Sequence, residues 1–200
     1  VFLQAPWVRL SPASAAVFTA LLVAVGVVLA NDPDQQRQRL GSLLVGFAGS
    51  WLAGSLFWGW ARLHPLWHLP IEAFALPLAL AGLGGRWRLG CGFYLGSLLG
   101  TAATDAAIAA TGLMPLWPQA LAASPAQAGR ILHAAGLQVL QPTGLIVLLT
   151  AAGLLLLLSR WLWRRGEVGR VASAALSTTL AVDGLFLLAA LLAPRLSGLI

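Results

Sequence analysis

Long apolar runs constrain this chain more than any other feature. Residues 12–30 contain no charged side chain, and residues 142–159 contain none either, with five consecutive leucines near the end of the second run. A helix needs about 20 largely apolar residues to cross a bilayer. Hydrophobic residues make up 59% of the 200 residues and charged residues 9%, with a mean hydropathy of +0.85. A soluble domain typically carries about 25% charge. The chain therefore reads as an integral membrane protein. A transmembrane barrel would need alternating strands of about ten residues, and continuous runs of this length do not alternate.

The length leaves room for about six spans in one transmembrane helical domain, residues 1–200, and the expected fold is an all-α polytopic bundle. Helices are expected at 12–30, 40–61, 69–83, 89–113, 142–162 and 169–193. Stops separate them: Asn31-Asp32-Pro33, His64-Pro65, Gly84-Gly85, Met114-Pro115 and Pro194. Pro70 suits a first helical turn, where a missing N–H is harmless, whereas Pro77 falls mid-helix and should kink it or break its hydrogen bonding. The connection 114–141 should hold a short interfacial helix, because Ile131, Ala135 and Val139 share a face with Leu132 and Leu140, opposite Gln127, Arg130 and Gln141. Val1 to Leu10 is apolar but too short to span. It either follows a removed segment or lies at the interface.

All twelve basic residues are arginine. With six spans, Arg9, Arg62, Arg130 and Arg195 fall on one side, and Arg37, Arg39, Arg86, Arg88, Arg160, Arg164, Arg165 and Arg170 on the other. The positive-inside rule makes the loops 31–39, 84–88 and 160–170 cytoplasmic. Scattered in short loops, these arginines read as topology signals and lipid headgroup contacts, so membrane lipids are expected partners and nucleic acid is not. Cys91 stands alone, which excludes an internal disulfide and a cysteine-built metal site. The nine tryptophans suit aromatic belts at the two interfaces.

Three acids interrupt the apolar segments: Glu72, Asp105 and Asp183. An acid near a helix centre costs roughly 2.5–3.5 kcal/mol on insertion scales, so it is kept where it has a partner, a cavity or a task. Counting residues from the helix ends puts Glu72, Asp105 and Asp183 about 5, 12 and 15 Å from the same membrane surface, so all three belong to the outer half. Thr101 precedes Asp105 by four residues and Thr179 precedes Asp183 by four, so each hydroxyl shares a helical face with its acid; Ser97 extends the first stripe by a turn. His68 is placed to pair with Glu72 or share its proton. The alternative is structural: aspartates bonded to neighbouring helices at about 0.6 kcal/mol per contact, and Glu72 capping a helix start. The spacing matches no compact metal motif, so no metal is expected, and no cofactor or catalytic residue is assigned. Gly92, Gly96, Gly100 and Thr104, like Gly46, Ser50 and Gly54, recur at four-residue intervals and read as close-packing stripes.

Trp67-His68-Leu69-Pro70-Ile71-Glu72-Ala73, Phe93-Tyr94-Leu95-Gly96-Ser97 with Gly100-Thr101 and Thr104-Asp105, and Leu176-Ser177-Thr178 through Val182-Asp183-Gly184-Leu185-Phe186 carry a resemblance. Over most of its length the chain resembles an uncharacterised family of cyanobacterial multi-pass integral membrane proteins, a domain of unknown function. Val1-Phe2-Leu3-Gln4-Ala5-Pro6 looks like that family's proximal segment. The resemblance implies a photosynthetic-prokaryote membrane, plasma or thylakoid, and no assigned activity. Separately, Pro70-Ile71-Glu72 is similar to the Pro-x-Glu motif of membrane-bound lycopene cyclases of the small-subunit type, whose acids protonate a polyene. Ala73 stands where those enzymes often have a second acid.

Three functions fit these residues. The leading one is a small carrier or channel for a proton, cation or small polar solute, with Asp105 and Asp183 lining an outward-facing cavity. The second is a membrane enzyme doing acid catalysis on an isoprenoid or lipid, with Glu72 or an aspartate as donor. The third is an assembly or structural subunit of a photosynthetic complex, whose partners would be other membrane protein subunits.

Overall fold

The computed structural model describes residues 4–194, and every regular element among them is helical. Arg195 and the first three residues, which entered the arginine count and the proximal resemblance, lie outside the described residues. In chain order the helices are α1 (Gln4–Leu10), α2 (Pro12–Ala30), α3 (Gln35–Leu56), α4 (His68–Glu72) and α5 (Leu76–Gly82). They continue with α6 (Arg88–Ala110), α7 (Leu116–Ala122), α8 (Pro125–Val139), α9 (Pro142–Trp163) and α10 (Gly166–Leu192). Five are long and apolar enough to cross a membrane: α2, α3 with its extension to Ala61, α6, α9 and α10. The chain is an integral membrane protein by that measure.

Local chemistry sets the ends. Asn31 closes α2 by donating its side-chain amide to Val27 O at 2.8 Å. Asp34 then opens α3 by accepting the Gln36 N–H at 2.9 Å, so the helix starts at Gln35, ahead of the expected residue 40. In the same turn the Asp34 N–H and then the Arg37 guanidinium hold the Asp32 carboxyl below the usual carboxylate range. At its far end α3 does not stop but widens into a π-helical turn, Phe57–Ala61. Short α1 packs beside α3, where the Gln4 amide donates to Trp51 O at 2.7 Å and to Ser55 Oγ at 3.0 Å.

The bundle is assembled through its glycines. Helix α6 lies between α3 and α10 and runs parallel to both. A Cβ added at Gly96 would sit 2.4 Å from Ala172 O, and one at Gly90 only 2.1 Å from Ser42 O. These backbones touch directly, which only a residue without a side chain permits. The same contact line sets the register between α6 and α10: Gly92 meets Val168, Gly96 meets Ala172, and Gly100 meets Thr179. On the other side of α10, Ser159 of α9 bonds Ser173 and Ser177 at 2.7 and 2.8 Å.

The segment 69–83, expected as one helix, is two. Pro77 has no N–H to offer Ala73 O, and the chain breaks over residues 73–75, leaving α4 and α5 in tandem. Both pack on α6: His68 stands beside Asp105 at one end, and Gly82 stands beside Cys91 at the other. The connection 114–141 likewise holds two helices, α7 and α8, where one was expected. Gln127, Arg130, His133 and Gln141 are exposed there, and Ala128 and Gly136 are buried.

The arginine-rich end is tied across helices. Glu167 of α10 pairs with Arg39 of α3 at 3.3 Å and with Arg88 of α6 at 3.6 Å. These groups are half-exposed, so the ties are weak, about 0–1 kcal/mol each.

Candidate functional site

At the opposite end of the bundle, three titratable side chains from two elements meet. His68 opens α4 and Glu72 closes it, one turn apart on the same face. The His68 Nδ1 lies 2.9 Å from Asp105 Oδ1 and 3.1 Å from Oδ2, so one ring nitrogen is shared by both oxygens of a carboxylate on α6. The other nitrogen, Nε2, points toward Glu72 and stands 3.9 Å from its Oε1. Glu72 and Asp105 are both buried, each 9% exposed. With Nδ1 donating to Asp105, a neutral imidazole presents a lone pair at Nε2 to Glu72. At 3.9 Å the two groups are within ion-pair range but beyond hydrogen-bond range.

A second polar pair adjoins the first. Thr104 Oγ1 donates to Asp183 Oδ2 at 2.5 Å and lies 3.0 Å from its own-helix carbonyl at Gly100. Thr104 and Asp105 are consecutive, so about 100° of helical turn separates their directions: Thr104 faces α10 and Asp105 faces α4. Asp183 is thus tied to α6 one residue before Asp105. Carboxylates of α4 and α6 flank the imidazole, and that of α10 is held by Thr104, the residue next to Asp105.

Aromatic rings close the site from the end of the bundle. Phe57, fully buried, lies against the imidazole with ring centroids 4.2 Å apart. Trp117 of α7 is 5.8 Å from it and Trp58 is 6.5 Å away. The two indoles stack on each other at 5.5 Å and 21°, and Trp117 Nε1 donates to Arg62 O at 2.9 Å. Phe57 and Trp58 are placed by the π-helical turn of α3, a feature that recurs at functional positions.

Tyr94 supports the site from below. Its hydroxyl donates to the Glu72 backbone carbonyl and accepts the Ala75 N–H at 3.1 Å, spanning the break between α4 and α5. Among the described residues no cluster of three or more His, Cys, Asp or Glu could hold a metal ion.

A family model described as "Protein of unknown function (DUF3120)" matches residues 1–191. The chain belongs to the DUF3120 family. No curated protein and no solved structure matches it. For this DUF3120 chain, therefore, any reading of the site rests on its own geometry.

The DUF3120 structure brings His68, Glu72 and Asp105 together and sets Asp183 beside them. It seats the other candidates differently. Thr179 turns its hydroxyl to Ala175 O at 3.2 Å and packs against Gly100, leaving Asp183 to Thr104. Ser97 and Thr101 are half-buried on α6, outside both hydrogen-bonded groups. Glu72 ends its helix and does not begin it, so its carboxyl meets His68 and caps no helix start. Sequence reasoning missed Thr104 as the partner of Asp183, and missed Phe57, Trp58, Trp117 and Tyr94. Trp58 and Trp117 close the site where an interfacial belt is expected, whereas Trp60 and Trp67, both more than half exposed, fit such a belt. Tyr94 carried a signal, being the only tyrosine in the chain.

Proposed function

We propose that this chain is a small carrier or channel that moves a proton, or a cation or small polar solute coupled to one, through the centre formed by Glu72, His68, Asp105 and Asp183. The observation that carries the reading is the His68 imidazole held between two buried carboxylates, 2.9 Å from one and 3.9 Å from the other. Intramembrane acids are kept where a proton or ion is handled. Three acids to one imidazole favour a positively charged cargo over an anion.

The topology follows from the arginine distribution. The end bearing Arg37, Arg39, Arg86, Arg88, Arg160, Arg164, Arg165 and Arg170 is cytoplasmic. Counting α4 and α5 as one interrupted crossing gives six crossings, with the acid centre in the outer half of the membrane. Interrupted helices beside polar centres are a recurring feature of transporters, where the unwound backbone lines the pathway. On this reading the membrane is a cyanobacterial one, plasma or thylakoid, as the resemblance drawn from the sequence implies.

The test is proton flux in proteoliposomes carrying an internal pH dye. A pH gradient should collapse faster with the wild-type protein than in empty vesicles. Asp183→Asn, folded and inserted, should lose that flux. Full flux in Asp183→Asn and Asp105→Asn together would refute the proposal.

A further inference from the structure

We propose that Tyr94 is a positioning residue for the acid centre: its hydroxyl, bridging the two sides of the helix break, fixes Glu72 beside His68. The inference rests on the reading of Glu72 and His68 as a proton-handling pair.

In an unbroken helix, Glu72 O would accept the N–H of Leu76, and Ala75 N–H would donate to Ile71 O. Neither bond forms here. Leu76 N–H donates instead to Ala73 O at 2.9 Å, and Pro77 next along has no N–H to give. Glu72 O and Ala75 N–H are thus left without helical partners inside an apolar bundle, where water cannot serve them. The Tyr94 hydroxyl answers both at once, donating to Glu72 O and accepting from Ala75 N–H.

The ring is held firmly enough to define that position. Tyr94 is only 3% exposed and packs with Ala79 and Leu98. Phe74 meets it edge-on at 6.4 Å. On the α3 side, a Cβ at Gly49 would come within 3.3 Å of the ring, so the absent side chain makes its seat. Because Glu72 is the last residue of α4, holding its carbonyl fixes the direction in which its side chain leaves the backbone. The distance to His68 Nε2 is set by that direction. The hydrogen bonds of the Tyr94 hydroxyl are to backbone groups, not to His68 or a carboxyl, so it acts through the Glu72 backbone.

The experiment compares wild type with Tyr94→Phe, which keeps the ring and removes only the oxygen. Two readouts are used in detergent or nanodiscs: hydrogen exchange of the peptide covering residues 73–79, and the pH profile of Glu72 labelling by a hydrophobic carbodiimide. Loss of the bridge should speed exchange at Ala75 by about tenfold, the equivalent of one net hydrogen bond, and displace the labelling profile. Glu72→Gln should leave Ala75 protected, since the bridge is to the backbone. Unchanged exchange and an unchanged labelling profile in Tyr94→Phe would overturn the inference, whatever the flux. Were Tyr94→Phe unable to fold, wild type decides: Ala75 exchanging as fast as an open turn would also overturn it. Loss of the carrier reading alone would show differently, as full flux in the aspartate variants with Ala75 still protected.

Discussion

His68 and Asp105 are separated by 37 positions in sequence, yet Nδ1 of one lies 2.9 Å from Oδ1 of the other. The contact joins the start of α4 to the last third of α6, and both partners are shielded from solvent, with side chains 13% and 12% exposed. Asp105→Ala would leave the imidazole buried without its partner, at a cost of about 1–3 kcal/mol. Asp105→Asn retains an acceptor oxygen and should cost less. Denaturant titration in mild detergent should rank the variants wild type, Asn, Ala in falling stability; equal stability of all three would mean the contact contributes nothing.

Thr104 and Asp183 should behave as one unit. Thr104→Val keeps the shape and removes the donor, while Asp183→Asn removes the charge. For groups in direct contact, a double-mutant cycle on stability should show coupling of about 0.5–3 kcal/mol. The equivalent cycle between Thr179 and Asp183 should show less, because Thr179 bonds its own helix at Ala175 O. The reverse order would reassign the partner of Asp183.

Trp117 should shield His68. Replacing it with Ala removes the stack on Trp58 and the bond to Arg62 O. Reaction of His68 with diethyl pyrocarbonate should then accelerate several-fold, with the exposed His64 and His133 unchanged as internal references. No change at His68 would show that the indole does not cover it.

The glycine contacts make a sharp packing prediction. Gly96→Ala would drive a methyl to 2.4 Å from Ala172 O and should destabilise the bundle by about 1–3 kcal/mol, the usual cost of overpacking. Gly153→Ala and Gly184→Ala meet nothing within 4 Å, and their better helix propensity, up to about 1 kcal/mol, makes them neutral or stabilising. Thermal unfolding of the purified variants separates the two classes.

Much of the fold was legible because bilayer physics leaves few options. The uncharged run after Asp105's helix and its loop, starting at Pro142, predicts a helix to 162, and α9 ends at Trp163. The break in 69–83 was half legible: Pro77 signalled a defect, but the carbonyl it fails to serve is Ala73, four residues back, and the chain opens there. The acids could be picked out singly by the cost of burying them. Their partners could not, because helical spacing finds only neighbours on the same helix. A threonine one turn before an aspartate tends to bond its own backbone, as Thr179 does, and the partner comes from whichever helix the glycine register brings alongside. Register is a tertiary fact, and so Thr104 was reached only through the structure. The aromatic closure depends likewise on the π-helical turn at Phe57, for which the sequence carries no strong signal.

The most direct test of the central claim is proton uptake into proteoliposomes driven by a potassium-diffusion potential, comparing wild type with Asp105→Asn at equal insertion. The account predicts uptake by the wild type above empty vesicles and none above that background for Asp105→Asn. Uptake by Asp105→Asn equal to wild type would contradict it.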